Sequence, residues 1–118
     1  MNDNQLYLFE KLDVFQASKE ALKMGIQVRP KVKGLPGELM GQLERALLSI
    51  VANIAEGSGR DSAADRRRHY AIARGSATEA GAIVEIALLY GALDESEHAG
   101  LRSRLLRVVW MLTAMMRR

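Results

Sequence analysis

Residues 38–60, ELMGQLERALLSIVANIAEGSGR, form the stretch that decides the fold. The stretch contains no proline, and large apolar residues recur in it at steps of three and four: Leu39, Leu43, Leu47, Ile50 and Ile54. This periodicity predicts a helix over residues 38–56. The helix is expected to end at Gly57-Ser58-Gly59, with Gly57 or Gly59 as a left-handed cap.

A polar stripe runs along the same helix. At about 100° per residue its members fall within an arc of roughly 80°: Gln42, Arg45, Ser49, Asn53 and Glu56. Apolar residues flank the stripe on both sides, so we expect it to be buried with the helix. Because buried polar groups need partners, we expect the stripe to meet Ser76 and Glu79 of the next helix in one structural polar network.

Three further helices are predicted outward from this stretch, over residues 13–28, 62–93 and 95–116. Residues 29–37, RPKVKGLPG, are expected to form a loop, and Ser62 is expected to cap the third helix. In the third helix we expect Ile72, Ser76, Glu79, Ile83, Ile86 and Tyr90 to form a bundle seam beside a stripe of small residues. The pattern predicts one all-α domain, residues 1–118, folded as an antiparallel up-down four-helix bundle.

Composition narrows the function classes. The 118 residues include 48% hydrophobic but only 5% aromatic residues and no cysteine. Disulfides, cysteine metal sites and cysteine nucleophiles are therefore excluded, and a reducing cytoplasm is the expected location. Met1–Glu10 lacks the basic start and apolar run of a secretory signal, and no apolar stretch approaches the roughly 20 residues that cross a bilayer, so no membrane association is expected.

The sequence gives little support for a catalytic function. Glu56 and Glu79 are the candidate carboxylate pair for acid-base or metal chemistry. Glu95 and His98 match a di-metal spacing only once, and no strand-to-helix elbow presents Ser49 or Ser76 as a nucleophile. Gly57-Ser58-Gly59-Arg60 resembles a small anion-binding loop, although a plain turn is favoured. We therefore expect no enzyme activity, no catalytic residue, no metal and no cofactor.

Positive charge is clustered in two places, although the formal net charge is only +3. One group is Arg60, Arg66, Arg67, Arg68 and Arg74, and the other is Arg29, Lys31 and Lys33 in the first loop. Two interpretations stay open: these cations bind nucleic-acid phosphates, or they pair with acids such as Glu56, Asp61 and Asp65. The sequence places no aromatic platform for stacking unpaired bases beside the arginines.

The residues from Ser49 to Arg60 resemble the signature S-I-x-x-N-I-A-E-G-x-G-R of the bacterial 23S rRNA intervening-sequence proteins, a four-helix-bundle family. Ala73-Arg74-Gly75-Ser76 with Glu79 is similar to a second motif of that family, A-x-G-S-x-x-E. Looser matches at Leu12–Phe15 and Pro36 extend the resemblance over residues 12–93. The chain departs from the pattern at Val51, where proline is frequent, and at Glu44, where a basic residue is usual.

The resemblance has implications for function. Related proteins include the accessory variability determinants of diversity-generating retroelements, homopentameric barrels that bind nucleic acid and associate with a reverse transcriptase. It therefore implies a non-enzymatic homo-oligomeric ring, a pentamer, that binds RNA or DNA backbones with a reverse transcriptase as partner. The alternative is a protein-interaction module without nucleic-acid affinity, which would use the apolar surface of the fourth helix at Trp110, Met111, Met115 and Met116.

Overall fold

Four α-helices account for most of the chain in a computed structural model that describes residues 6–117. They are α1 (Asp13–Val28), α2 (Leu35–Ser58), α3 (Ala63–Leu89) and α4 (Glu95–Met116), with short 3₁₀ turns at Leu8–Lys11 and Arg29–Lys31. Residues 6–117 contain no strand. The first half of the N-terminal segment, residues 1–5, and Arg118 lie outside the described residues.

The helices pack in chain order around an aliphatic core. Each helix is antiparallel to the next, α4 closes against α1, and the most extensive pairing joins α2 to α3. Side chains with almost no exposure fill the centre: Leu43, Leu47, Ile50, Ile54, Leu101 and Leu112. The predicted all-α, up-down four-helix bundle is confirmed. None of the helices within residues 6–117 combines the length and the apolar character needed to span a membrane.

Two helix boundaries differ by three or four residues from the sequence prediction because of proline and glycine chemistry. α2 begins at Leu35 inside the predicted loop, since Pro36 occupies the first turn, where a missing N–H leaves nothing unsatisfied. α3 ends at Leu89, four residues early. Gly91 adopts a positive φ of 72°, and the Ala92 N–H then donates to the Ala87 carbonyl at 2.9 Å, which closes the helix.

Gly57 has a packing role rather than the predicted capping role. α2 continues through Gly57 to Ser58, and Gly59 has a φ of −91°, so the prediction of a left-handed cap at either glycine is wrong. Gly57 is buried, and a Cβ atom there would lie 2.8 Å from Cε1 of Tyr70 and 3.0 Å from Cβ of His69. The missing side chain therefore allows the start of α3 to lie directly against the end of α2.

The buried face of α3 lies beside the predicted seam rather than on it. Ile72 and Ile86 are 42% and 41% exposed, and the residues that are fully buried are mostly small: Ala73, Ala77, Ala80, Val84 and Ala87. Small side chains let neighbouring backbones approach closely, so the contact centres on the alanines and leaves the larger residues at its border. Of the predicted seam, only Ile83 is buried and Ser76 partly buried.

Candidate nucleic-acid interface at the α2–α3 end

The two groups of candidate cations lie at opposite ends of the bundle. Because the helices alternate in direction, the end of α2 and the start of α3 share one end, here the α2–α3 end. The connection from α1 to α2 and the start of α4 share the other, here the α1–α2 end. The 24 residues of α2 span about 36 Å at 1.5 Å per residue. Residues 60–74 and residues 29–33 therefore cannot form one continuous patch on a single chain.

Part of the predicted polar network joins α2 to α3. Ser49 Oγ lies 2.9 Å from Ser76 Oγ across the interface, and Asn53 Nδ2 donates to the Ser49 carbonyl at 2.9 Å and to Ser49 Oγ at 3.3 Å. All three side chains are partly buried. These contacts fix the register of the two helices, because a shift along either axis would leave the hydroxyls and the amide without partners.

His69 completes this cluster, although no sequence signal identified an orienting partner for it. Its ring is 5% exposed, its Nδ1 lies 3.2 Å from Asn53 Oδ1, and its Nε2 lies 3.1 Å from Arg68 Nη2. Asn53 Oδ1 is an acceptor and the Arg68 guanidinium is a donor, so the two contacts match an Nδ1 that donates to Asn53 and an Nε2 that accepts from Arg68. Asn53 and His69 are 16 residues apart and belong to different helices, so the periodicity within one helix does not predict this contact.

The prediction that the other four polar residues also join this network is wrong. Gln42, Arg45 and Glu79 are exposed, and Glu56 forms an ion pair with Arg60 at the helix end. Long polar side chains at the border of an interface reach water along their alkyl stems, so apolar flanks do not force burial. The interhelical cluster is therefore Ser49, Asn53, Ser76 and His69.

The structure does not assemble the candidate catalytic groups. Gly57 packs on His69, whereas Glu79 lies ten residues further along α3, about 15 Å away, so Glu56 and Glu79 form no pair. Glu95 is exposed, and His98 Nε2 instead lies 3.0 Å from Glu85 Oε2. Residues 6–117 hold no group of three metal-ligating side chains.

Arginines at the α2–α3 end make several intramolecular contacts. Arg60 pairs with Glu56 and lies 3.7 Å from Asp65, whose other oxygen is 3.1 Å from Arg68 Nε. Arg66 Nη1 donates instead to the backbone carbonyls of Arg60 and Asp61, at 2.9 and 2.8 Å. The acid-pairing interpretation thus holds for Arg60 and Arg68, while Arg66 binds the connection between the helices.

The remaining arginines extend this surface. Arg67 is exposed, and Arg74 Nη1 donates to Thr113 Oγ1 of α4 at 3.3 Å. Burial raises the pKa of the Tyr70 phenol, and the Arg66 guanidinium partly opposes that rise. Residues 56–74 contain five arginines and three carboxylates. The α2–α3 end therefore keeps an excess of positive charge after its internal pairs are formed.

Cations at the α1–α2 end are more fully neutralised. Arg29 Nε lies 3.0 Å from Glu44 Oε2, and Lys31 Nζ lies 3.4 Å from Glu97 Oε2, while Lys33 is exposed. Arg29 and Arg45 both approach Gly41 in an open groove of about 860 Å³ that Glu38 also lines. The acidic start of α4 adds further negative charge, so this end offers an anion less net attraction.

An aromatic pair beside the arginines escaped the sequence analysis. Tyr7 and Phe9, about 50 residues away in sequence, line a groove together with Gly59 and Arg60. Aromatic side chains therefore do lie beside Arg60, where the sequence placed none. Tertiary packing of the N-terminal segment produces this proximity, and local spacing contains no signal for it.

Comparisons with known proteins agree with this architecture. The family described as 23S rRNA-intervening sequence protein matches residues 10–114. A crystal structure of a protein with unknown function, from the S23 ribosomal protein family of Bacteroides thetaiotaomicron VPI-5482, has a TM-score of 0.74 and 19% sequence identity. The match covers 91% of this chain and 100% of that one, and it shows a shared fold. No curated protein matches the chain.

Proposed function

The chain belongs to the family of 23S rRNA-intervening sequence proteins, and from that premise we propose that it is a cytoplasmic, non-enzymatic accessory protein that binds RNA or DNA backbones. The proposed contact surface is the α2–α3 end. The observation that carries the proposal is the gathering of four arginines, Arg60 and Arg66–Arg68, around the connection between α2 and α3, against three carboxylates, with Arg74 further along α3. The family's name also supports an RNA-related role.

Helix electrostatics supports a phosphate ligand at this end. Arg66, Arg67 and Arg68 occupy the first two turns of α3, near the positive end of its dipole, where cations are unfavourable. A bound phosphate would relieve that repulsion. It would also receive paired N–H donors from guanidinium groups.

The intramolecular ion pairs leave donors available. Side chains of Arg60 and Arg68 are 40% and 58% exposed within their pairs, and exposed pairs contribute only about 0–1 kcal/mol. Each guanidinium has five N–H donors, of which the carboxylates occupy one or two. Phosphates can therefore bind without the loss of much internal stabilisation.

A homo-oligomeric ring, a pentamer by resemblance, would repeat this surface. Support comes from apolar side chains that point outward: Ile72, Ile86, Leu89, Tyr90 and Trp110. Repeated weak phosphate contacts on one ring raise avidity. A reverse transcriptase is the proposed protein partner. Sedimentation velocity over a range of concentrations should show one assembly larger than a monomer, and a monomer at every concentration would contradict the ring.

A salt titration tests nucleic-acid binding. We expect random-sequence RNA and DNA to bind at low salt, with log affinity falling linearly in log salt concentration. Replacing Arg66, Arg67 and Arg68 by alanine should weaken binding about tenfold or more. The matched triple variant R102A/R104A/R107A on α4 removes the same charge and should have a small effect.

Two results would overturn the proposal: absence of binding at low salt, or equal loss in the two triple variants. Circular dichroism and thermal unfolding must show that both variants are folded, because Arg68 also contacts His69. The R66K/R67K/R68K variant keeps the charge and should retain most of the affinity.

One observation favours the alternative, a protein-interaction module. Trp110 is 67% exposed on α4, an unusual position for a tryptophan on a free surface. Met111, Met115 and Met116 are partly buried against the core, so the exposed apolar area of α4 is smaller than the sequence suggested. A partner that stays bound at high salt, and is lost in Trp110→Ala, would support this function.

A further inference from the structure

The N-terminal segment forms a groove with the α2–α3 end. Tyr7 and Phe9 line it from the N-terminal segment, and Arg60 lines it together with the last residues of α2, which include Glu56, the ion-pair partner of Arg60. The groove has a volume of about 410 Å³ and is open to solvent. It adjoins the arginine surface directly, because Arg66 donates to the carbonyl of Arg60.

The aromatic side of the groove is anchored in the core. The Tyr7 ring stacks on Phe9 with centroids 5.2 Å apart and planes only 8° from parallel. Phe9 in turn contacts the buried Phe15 at 4.7 Å with a tilt of 49°. Tyr7 is therefore the outermost ring of a three-ring row, held in place from inside the bundle.

The outer face of Tyr7 is accessible. Tyr7 is 72% exposed even though Phe9 covers one face of its ring. Its backbone N–H donates to Glu10 Oε1 at 3.0 Å, which fixes the turn that carries the ring. An exposed ring held in a fixed orientation can stack with a flat partner at little further entropic cost.

The combination of a flat aromatic surface and an adjacent guanidinium fits one ligand class. Proteins that bind single strands stack unpaired bases on aromatic side chains and track the backbone with cations. A base within a duplex is already stacked on both faces and does not offer one to a protein side chain. The groove thus matches an unpaired nucleobase with its flanking phosphate.

We propose that this groove is a subsite for one unpaired base of single-stranded RNA or DNA, with the base on Tyr7 and the adjoining phosphate at Arg60. The inference rests on the proposed function and adds its substrate class, single strands rather than duplexes. Stacking gives affinity without sequence readout, because every base has an aromatic face.

Equilibrium binding by fluorescence anisotropy tests the subsite. The probes are RNA and DNA single strands of about 12 nucleotides, the corresponding duplexes, and a strand of abasic sites that keeps only the backbone. Tyr7→Ala should weaken single-strand binding about 5- to 100-fold and leave duplex binding and the salt dependence unchanged. Tyr7→Phe should bind as the wild type does, because it keeps the ring.

Two controls separate stacking from misfolding. Ile26→Ala removes an exposed apolar side chain, 47% exposed near the α1–α2 end, and should leave binding unchanged. The wild type should bind the abasic strand as weakly as Tyr7→Ala binds the normal strand, a comparison that uses the unaltered protein. Wild-type RNA and DNA affinities together show whether the 2′-hydroxyl contributes.

The outcomes distinguish this inference from the proposed function. If the wild type binds no nucleic acid, both are overturned. If the wild type binds with the expected salt dependence but Tyr7→Ala binds single strands equally well, only the subsite is overturned. Equal loss of single-strand and duplex binding in Tyr7→Ala, or equal wild-type affinity for abasic and normal strands, would also exclude base stacking.

Discussion

The two ends of the bundle carry similar basic residues in different surroundings. Residues 56–68 at the α2–α3 end hold four arginines and three carboxylates. At the α1–α2 end, residues 29–45 hold four cations and two carboxylates, and residues 94–97 add three more carboxylates. Local charge balance, rather than the number of cations, decides which end can attract a phosphate backbone. Within residues 6–117, only the α2–α3 end also presents a stacked aromatic pair next to arginine.

The largest expected stability difference between the ends comes from one closely packed glycine at each end. Gly57→Ala should destabilise the fold by about 1–3 kcal/mol, because its Cβ would meet the Tyr70 ring and the Cβ of His69. Gly100→Ala, at the other end, would meet the terminal methyl and sulfur of Met24, which can rotate away. Urea unfolding should show a clear loss for the first variant and little change for the second. Equal losses would contradict the packing role of Gly57.

The polar stripe of α2 offers the next contrast. Asn53→Ala should lower the free energy of unfolding by about 1–2 kcal/mol, because it leaves the buried His69 Nδ1 without its partner and removes the side-chain hydrogen bonds to Ser49. Gln42→Ala alters an exposed residue of the same stripe and should stay within about 0.5 kcal/mol of the wild type. Thermal or urea unfolding measures both. A large effect of Gln42→Ala would mean that the buried part of the stripe extends toward the start of α2 as far as Gln42.

Carboxylates at each end should modulate binding by smaller amounts. Asp65→Asn frees Arg60 and Arg68 from a shared acid and should raise nucleic-acid affinity about two- to fivefold. Glu44→Gln frees Arg29 at the α1–α2 end and should change the affinity less. Anisotropy titrations at one low salt concentration compare them. A greater gain from Glu44→Gln would move the binding surface to the α1–α2 end.

The smallest effect concerns acid stability near the α1–α2 end. His98 and Arg102 beside Glu85 hold the pKa of its carboxyl below its ordinary value. A pKa that is lower in the folded than in the unfolded chain stabilises the fold above the unfolded value, and this contribution is lost as pH falls through the folded value. Glu85→Gln should therefore be less stable than the wild type at neutral pH, and this difference in the free energy of unfolding should become smaller as the pH falls. Urea unfolding from neutral to about pH 3 checks this, and a deficit that grows in acid would contradict it.

Periodicity predicted the helices and their order because apolar residues follow a helical repeat in each, as they do in α2 at Leu43, Leu47, Ile50 and Ile54. It failed where side-chain size or length decides the outcome. The interface between α3 and its neighbours centres on the small alanines of α3, so Ile72 stays partly exposed at its border. The long side chain of Glu79 reaches water from the same border. Contacts between distant segments, such as His69 with Asn53 and Tyr7 beside Arg60, have no local signature, so only the folded chain reveals them.

The most direct test of the account removes three cations from each end in turn. R66A/R67A/R68A and R29A/K31A/K33A lose the same formal charge, and their binding to single-stranded RNA can be measured over one salt series. We predict that the first variant loses about tenfold or more in low-salt affinity and that its salt slope falls by about two, whereas the second stays close to the wild type. An equal or larger loss in the second variant would contradict the assignment of binding to the α2–α3 end.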